Sequence, residues 1–308
     1  IGVAYHFQDN DIQRMQFYFG PNHYQTLRKM DMGMEKVVPI GSSIIRAVNK
    51  YAIIPIFNWL DNYFVSYGLI ILILTFIIKG VLIFPMYKIY VSGAKMKLLK
   101  PELDVIKEKT GGDMQKMQKE QMKLYKKAGV SPFGGCLPQL IQFPILIAMF
   151  RFFPASIELR QKSFLWAEDL SSYDSILDLG FSIPVYGDHI SLFTLLMAAS
   201  TFLYTMFNSQ TSAAINSQMK IIMYLMPLML LVWFNSYASG LSYYYFLANM
   251  MTFGQNWIFR NFIVNDAKLH KQIEMNKKKK VTVKSSRFQK RLEDMAKKRG
   301  IDPKQMRR

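Results

Sequence analysis

Residues 74–87 read LTFIIKGVLIFPMY, and Lys79 stands in the middle of them as the only charged residue between Leu69 and Tyr87. A helix rises ~1.5 Å per residue and the hydrocarbon of a bilayer is ~30 Å thick, so about 20 apolar residues make one span. Tyr67–Tyr87 has that length. An ammonium group near the bilayer centre costs about 2.5–3.5 kcal/mol on insertion scales. The fold class and the reason for the lysine are therefore a single question.

Working outward, four further apolar stretches follow: Leu137–Phe153, Ile190–Phe207, Ile221–Phe234 and Leu241–Ile263. The second carries Pro138 and Pro144 and the fourth Pro227, which membrane helices tolerate where neighbouring groups satisfy the freed carbonyls. The chain is 51% hydrophobic over 308 residues. That average alone fits a soluble helical protein too, but buried soluble helices seldom run this long. The expected class is an all-α polytopic membrane protein with a core of five spans over 66–264.

Charge orients the spans. The formal net charge is +18. Residues 88–130 contribute +6 and residues 265–308 contribute +11, whereas 156–187 carry −3. Basic segments stay cytoplasmic. Five spans put both basic segments on one side and residues 1–65 and 156–187 on the other, so the amino-terminal region is expected outside and the carboxyl terminus inside. The lone cysteine, Cys136, excludes an internal disulfide framework and a multi-cysteine metal site.

The remaining segments differ in pattern. In residues 1–40, RMQFYFGP alternates and ends in Gly-Pro, a strand-and-turn signal. We read this region as the end of an extracytoplasmic β domain. Residues 41–65 predict an amphipathic helix in the outer interface, capped by Ser42 or Ser43 and interrupted at Pro55. Its stripe is Ile44, Ile45, Val48, Ala52 and Ile56, with Arg46, Asn49 and Lys50 off it. Residues 89–128 predict a cytoplasmic hairpin of two charged amphipathic helices, broken at Gly111–Gly112 and restarted by Asp113. Its lysines Lys95, Lys97, Lys107, Lys109, Lys116 and Lys119 are candidates for partner docking, the alternative being a solvated connector. The tail 265–308, with Lys277, Lys278, Lys279 and Lys280 in one run, predicts a segment disordered in isolation that binds polyanions, either anionic lipid or ribosomal RNA.

Polar residues recur on single faces of the spans. Thr75 and Lys79 are four apart, Gln139 and Gln142 three apart, Tyr204 and Thr205 lie late in the third span with Asn208, and Tyr245, Asn249, Thr252 and Asn256 recur at steps of four, three and four. Polar groups avoid lipid, so these faces should meet. Interhelical hydrogen bonding explains the amides. It does not explain Lys79, because no Asp or Glu lies in any of the five stretches. A hydrated intramembrane cavity does, with the charge attracting acidic or polar groups that enter. HExxH, GxSxG and Walker A patterns are absent, and no duplicated half is visible. No enzyme, cofactor, metal or DNA partner is expected.

The segments TFIIKG, FPMYKIYVSGAKMKLLKPELDVIKEK, GVSPFGGCLPQLIQFPILIAMF and SGLSYYYFLANMMTFGQNWI resemble the YidC-type membrane protein insertases, in the same order over roughly residues 15–265. The resemblance implies a five-helix core with a cytoplasmic hairpin and an outer amphipathic helix, set in a bacterial inner membrane. It also implies a hydrophilic groove closed to the outside, in which a positive residue of the first helix receives polar parts of a substrate. The family's groove charge is usually arginine; the matching position here is Lys79. Implied partners are nascent membrane proteins, the ribosome, a Sec-type translocon and anionic lipids, with insertion proceeding without nucleotide hydrolysis. The alternative is an anion channel or transporter that binds at Lys79. A third class is an assembly factor in which the polar faces are only structural.

Overall fold

The computed structural model describes residues 18–111, 113–131, 137–209 and 217–278, with the side chains of 137–139, 208–209 and 217–220 excepted. Most of these residues are helical. Short helices α1 (Tyr24–Lys29), α2 (Ser43–Val48) and α3 (Ile54–Asp61) precede α4 (Tyr67–Leu98), the longest. The hairpin helices are α5 (Lys100–Lys109) and α6 (Met114–Ala128). Four more long helices follow, α7 (Leu137–Ala155), α8 (Leu192–Ser209), α9 (Ser217–Phe234) and α10 (Ser239–Ile258), and then α11 (Asp266–Lys278). Backbone proximity groups the described residues into two compact units. One comprises residues up to Gly80, Ile141–Phe202 and Leu225–Met251; the other comprises Val81–Leu140, Leu203–Tyr224 and the residues from Thr252 onward.

The five apolar stretches all become helices. Among the described residues α4 is the one long and apolar enough to cross a membrane on length and hydropathy together, with a mean hydropathy of 2.6 in its most apolar window. Leu140–Ala155, Leu192–Phe207 and Ile221–Phe234 are shorter apolar helical segments. In the fourth stretch the apolar run is short but the helix is not: α9 starts at Ser217 and has 18 residues.

The expectation of an all-α chain needs one correction. Between α7 and α8, β1 (Leu177–Ile183) pairs antiparallel with β2 (Gly187–Ile190), in a register that sets Leu177 opposite Ile190 and Ile183 opposite Gly187. The sequence LDLGFSI has the strand alternation, and Val185 and Gly187 supply positive φ angles of 72° and 108° at the turn. Ile190, expected to open the third span, belongs to this strand. Ser191 then caps α8: its Oγ accepts from the Thr194 N–H at 3.1 Å, an N-cap bond that satisfies an otherwise orphaned donor.

The strand expected within residues 14–19 lies mostly outside the described residues. From 18 to 40 the chain forms α1 and a 3₁₀ turn, Met34–Val37. In 41–65 the buried face differs from the expected stripe. Ile44 is exposed, while Asn49, Ile53, Phe57 and Leu60 are buried. A π-helical turn over Asn49–Ile53 joins α2 to α3, directly ahead of Pro55. That wider turn rotates the helix faces relative to an uninterrupted 3.6-residue period. Asn49, placed off the stripe by pattern, is thus turned inward, and its amide donates to the carbonyls of Ile40 at 2.8 Å and Ala148 at 3.0 Å.

The first unit holds the larger apolar core, in which Phe57 meets Phe152 edge-on at 5.1 Å and Phe153 lies 6.3 Å from Tyr244. The second unit has its own cluster around Met96, Leu99, Leu103 and Tyr125. Asp113 caps α6 as expected, accepting from the N–H groups of Gln115 at 3.0 Å and Lys116 at 3.1 Å. The bond from the Lys116 backbone N–H holds the Asp113 carboxyl below the usual carboxylate range.

Candidate functional site

Lys79 sits on α4 with 5% of its surface exposed, and its Nζ donates to Gln142 Oε1 on α7 at 3.2 Å. The other end of the same amide is engaged too: Gln142 Nε2 donates to the Tyr244 hydroxyl on α10 at 3.3 Å. Three helices therefore meet through one amide. A glutamine has its acceptor oxygen and its donor nitrogen on opposite ends; the ammonium can only donate, so it takes the oxygen end and leaves the nitrogen to donate to the hydroxyl. Tyr244 is fully buried. It is a member of this site that periodicity missed, since the pattern selected its neighbour Tyr245. The signal was present in the run Tyr243–Tyr244–Tyr245, but a run of three aromatics does not say which one turns inward.

Thr75, one turn before Lys79, is also fully buried, and its hydroxyl donates to the Ile71 carbonyl of its own helix at 2.7 Å. That local bond satisfies the hydroxyl inside the helix. Tyr245 is buried beside Tyr244. Asn249 serves a second junction. Its Nδ2 donates to Ser200 Oγ and Thr201 Oγ1 on α8, both at 2.9 Å. Each of those hydroxyls donates in turn to the Met197 carbonyl, at 2.8 and 2.7 Å. Asn249 thus binds α10 to α8, the interhelical role set against the groove role in the sequence.

The second unit holds the remaining expected residues. Tyr204 packs edge-on against Phe253 at 5.9 Å, Thr205 is buried, and Thr252 and Asn256 are half-buried on α10. Gln139 lies outside the residues whose side chains are described, as does Asn208. Of the docking lysines, Lys97, Lys107, Lys109, Lys116, Lys119 and Lys278 are exposed and Lys95 is half-buried. Lys277 is held against Glu102 of α5. Lys279 and Lys280 lie outside the described residues.

A further buried network, which sequence reasoning did not find, closes the end of the first unit where α8 begins. Asp174 is 2% exposed, and its carboxylate accepts from four donors: Ser191 Oγ at 2.5 Å, the N–H groups of Leu192 at 2.9 Å and Phe193 at 3.1 Å, and Trp166 Nε1 at 2.9 Å. It is an anion set at the amino end of α8, where the helix dipole and the free N–H groups both favour it. Asn235, after α9, accepts from the Ser191 N–H at 3.0 Å and donates to the carbonyls of His189 at 2.7 Å and Tyr186 at 3.0 Å. The start of α10 is tied to the same connection: the N–H of Ser239 donates to Ser172 O at 2.6 Å and that of Gly240 to Leu170 O at 3.0 Å. A Cβ on Gly240 would stand 2.9 Å from that carbonyl oxygen and 3.0 Å from the Phe153 ring, so only glycine allows the approach.

The family described as 60Kd inner membrane protein matches residues 59–267. The chain is 48% identical over 293 residues to a membrane protein insertase YidC of Amoebophilus asiaticus, covering 94% of this chain and 49% of that protein. It is 46% identical over 310 residues to the membrane protein insertase YidC of Parabacteroides distasonis, covering 95% and 48%. It is 43% identical over 317 residues to that of Azobacteroides pseudotrichonymphae, covering 96% and 52%. The chain spans about half the length of the curated relatives it matches. With α4 to α10 and the Lys79–Gln142–Tyr244 junction all inside the matched range, the chain belongs to the 60Kd inner membrane protein family, the YidC family.

Proposed function

We propose that the chain is the core of a membrane protein insertase, which moves polar segments of nascent membrane proteins through a hydrated groove without nucleotide hydrolysis. In this reading α4, α7, α8, α9 and α10 cross a bacterial inner membrane, with the amino-terminal region periplasmic and α5, α6 and α11 cytoplasmic. The observation that carries it is a buried lysine, the only charged residue between Leu69 and Tyr87, bonded to a buried glutamine of another helix. An ammonium placed there costs several kcal/mol unless polar surroundings compensate it. It carries a full charge and three donors, so an acidic or polar group that enters finds an attractive site. The family and the names of its relatives support the same role.

The test is reconstitution. Purified protein in liposomes is given a ribosome-bound substrate with one short span, and protease protection of the translocated end is measured. Insertion above protein-free liposomes supports the reading. Anion conductance without insertion would replace it with a channel.

The Tyr244 hydroxyl accepts from Gln142 Nε2 and anchors that side chain, so Tyr244→Phe should lower insertion about three- to tenfold without unfolding the protein, since the loss of one hydrogen bond is worth ~1 kcal/mol. If Tyr244→Phe inserts substrate at the normal rate, the hydroxyl has no part in the site.

We infer that the exposed lysines of the hairpin and of the tail bind the ribosome or anionic lipid through charge. Replacing Lys107, Lys109, Lys116 and Lys119 with Gln should weaken ribosome association. So should replacing Lys278, Lys279 and Lys280. The slope of log affinity against log salt should fall by about 0.7–0.9 for each phosphate that is no longer neutralised. Binding indifferent to salt would point to uncharged recognition.

A further inference from the structure

The first part of the basic tail is not a free arm. Asp266–Lys278 is the helix α11, and Leu269 and Ile273, four residues apart on one face, are 7% and 3% exposed. Ile273 lies in the same apolar cluster as Leu99, Leu103 and Tyr125 of the hairpin region. Two polar interactions continue the seam. Asn276 Nδ2 donates to the Ala128 carbonyl at 3.2 Å, and Lys277 Nζ meets Glu102 Oε1. Ala128 is the last residue of α6, where carbonyls have no partner within the helix. Asn276 therefore caps α6 from another helix. The residue that follows, Gly129, has φ +66°, and a Cβ there would stand 2.8 Å from Asn276 Nδ2. The positive φ favours glycine on the hairpin side, and a Cβ there would push the Asn276 amide away.

We propose that α11 is a clamp that fixes the direction of the α5–α6 hairpin, with Ile273 and Asn276 as its positioning residues. Helices of 10 and 15 residues joined by a short turn are marginal alone. The exposed faces of α5 and α6 are charged, so their apolar faces need a third element, and α11 supplies it. The clamp also brings Lys277 up against the hairpin, which joins two basic segments far apart in sequence. This rests on the insertase reading only for what the hairpin serves; the clamp itself concerns how the chain folds.

The test is hydrogen exchange of the full chain in lipid nanodiscs. Ile273→Asp should speed exchange of the α5 and α6 amides about tenfold or more, while amides of Phe152, Phe153 and Tyr244 in the first unit stay unchanged and so show the protein folded. Gly129→Ala should act in the same direction, through strain at a positive φ and displacement of Asn276. Lys277→Glu should have a smaller effect, about threefold or less because the pair is partly exposed, and Glu102→Lys in the same chain should reverse it. Unchanged hairpin exchange in Ile273→Asp, or no reversal by the charge swap, overturns the clamp. Failure of the insertase reading would appear instead as wild-type protein that does not insert substrate, whatever the exchange shows.

Discussion

Liposomes carrying Lys79→Ala are expected to lose insertion of substrates with an acidic or polar translocated segment, by at least about tenfold, while Lys79→Arg retains most of it. The size follows from the charge: one lost charge-assisted hydrogen bond in a partly desolvated site is worth ~1.5–3 kcal/mol, or about ten- to a hundredfold. Lys79→Glu should do more harm, because the sign of the site is inverted. The alanine variant also leaves the Gln142 oxygen without its bond to Lys79. Folding must therefore be measured alongside, and Lys79→Gln supplies a neutral control that can still donate to that oxygen. A lysine facing lipid would give the opposite result, since removing its charge would be neutral or stabilising. Access is a separate readout. In a Cys136→Ser background, Lys79→Cys should react with a membrane-impermeant thiol reagent from the cytoplasmic side. The closed packing around Lys79, which leaves it 5% exposed, means that such labelling reports opening of the site rather than its resting state. An inert cysteine together with normal insertion by Lys79→Ala would sink the hydrated groove for this protein.

Asp174→Ala should be the most destabilising single substitution outside the apolar core. Four donors lose their acceptor, two of them backbone N–H groups at the start of α8, and those of Ser191 and Phe193 are buried. Leaving buried donors unsatisfied and removing an anion from a helix amino end should cost about 3–5 kcal/mol, at the high end for point substitutions. Asp174→Asn keeps the shape and one acceptor oxygen, and should cost about half as much. Asp178, four residues on, is exposed and its side chain bonds to Ser175, so Asp178→Ala should stay within about 0.5 kcal/mol. Thermal unfolding in nanodiscs ranks the three. An Asp174→Ala protein as stable as Asp178→Ala would show that the connection between α7 and α8 is not held by this carboxylate.

How much of this was legible in the sequence depends on the range of the interaction that decides each feature. Apolar runs longer than most soluble helices set the five long helices, because the length of a run and its lack of charge are local properties. Gly111 and Asp113 gave the hairpin its turn and cap for the same reason: both act within a few residues of chain. Lys79, Thr75 and Gln142 were singled out because a polar group in an oily stretch is conspicuous whatever surrounds it. Ser191 was within reach of capping rules, but the apolar Ile190 before it drew the helix start one element too early.

Tertiary structure decided what depends on partners distant in sequence. Asn49 carries no apolar signal, yet a π turn and two carbonyls, one of them 99 residues away, place it inside. Tyr244 rather than Tyr245 meets Gln142 because α10 presents one face to α7, and three consecutive tyrosines cannot show which face that is. Asp174 lies in a stretch whose acidity reads as a solvated outer loop. Its burial depends on Trp166 and the start of α8 folding around it. The charge of residues 265–308 was plain from composition. That Asp266–Lys278 forms a helix against the hairpin was not, because Leu269 and Ile273 alone cannot hold a helix until a second apolar face covers them.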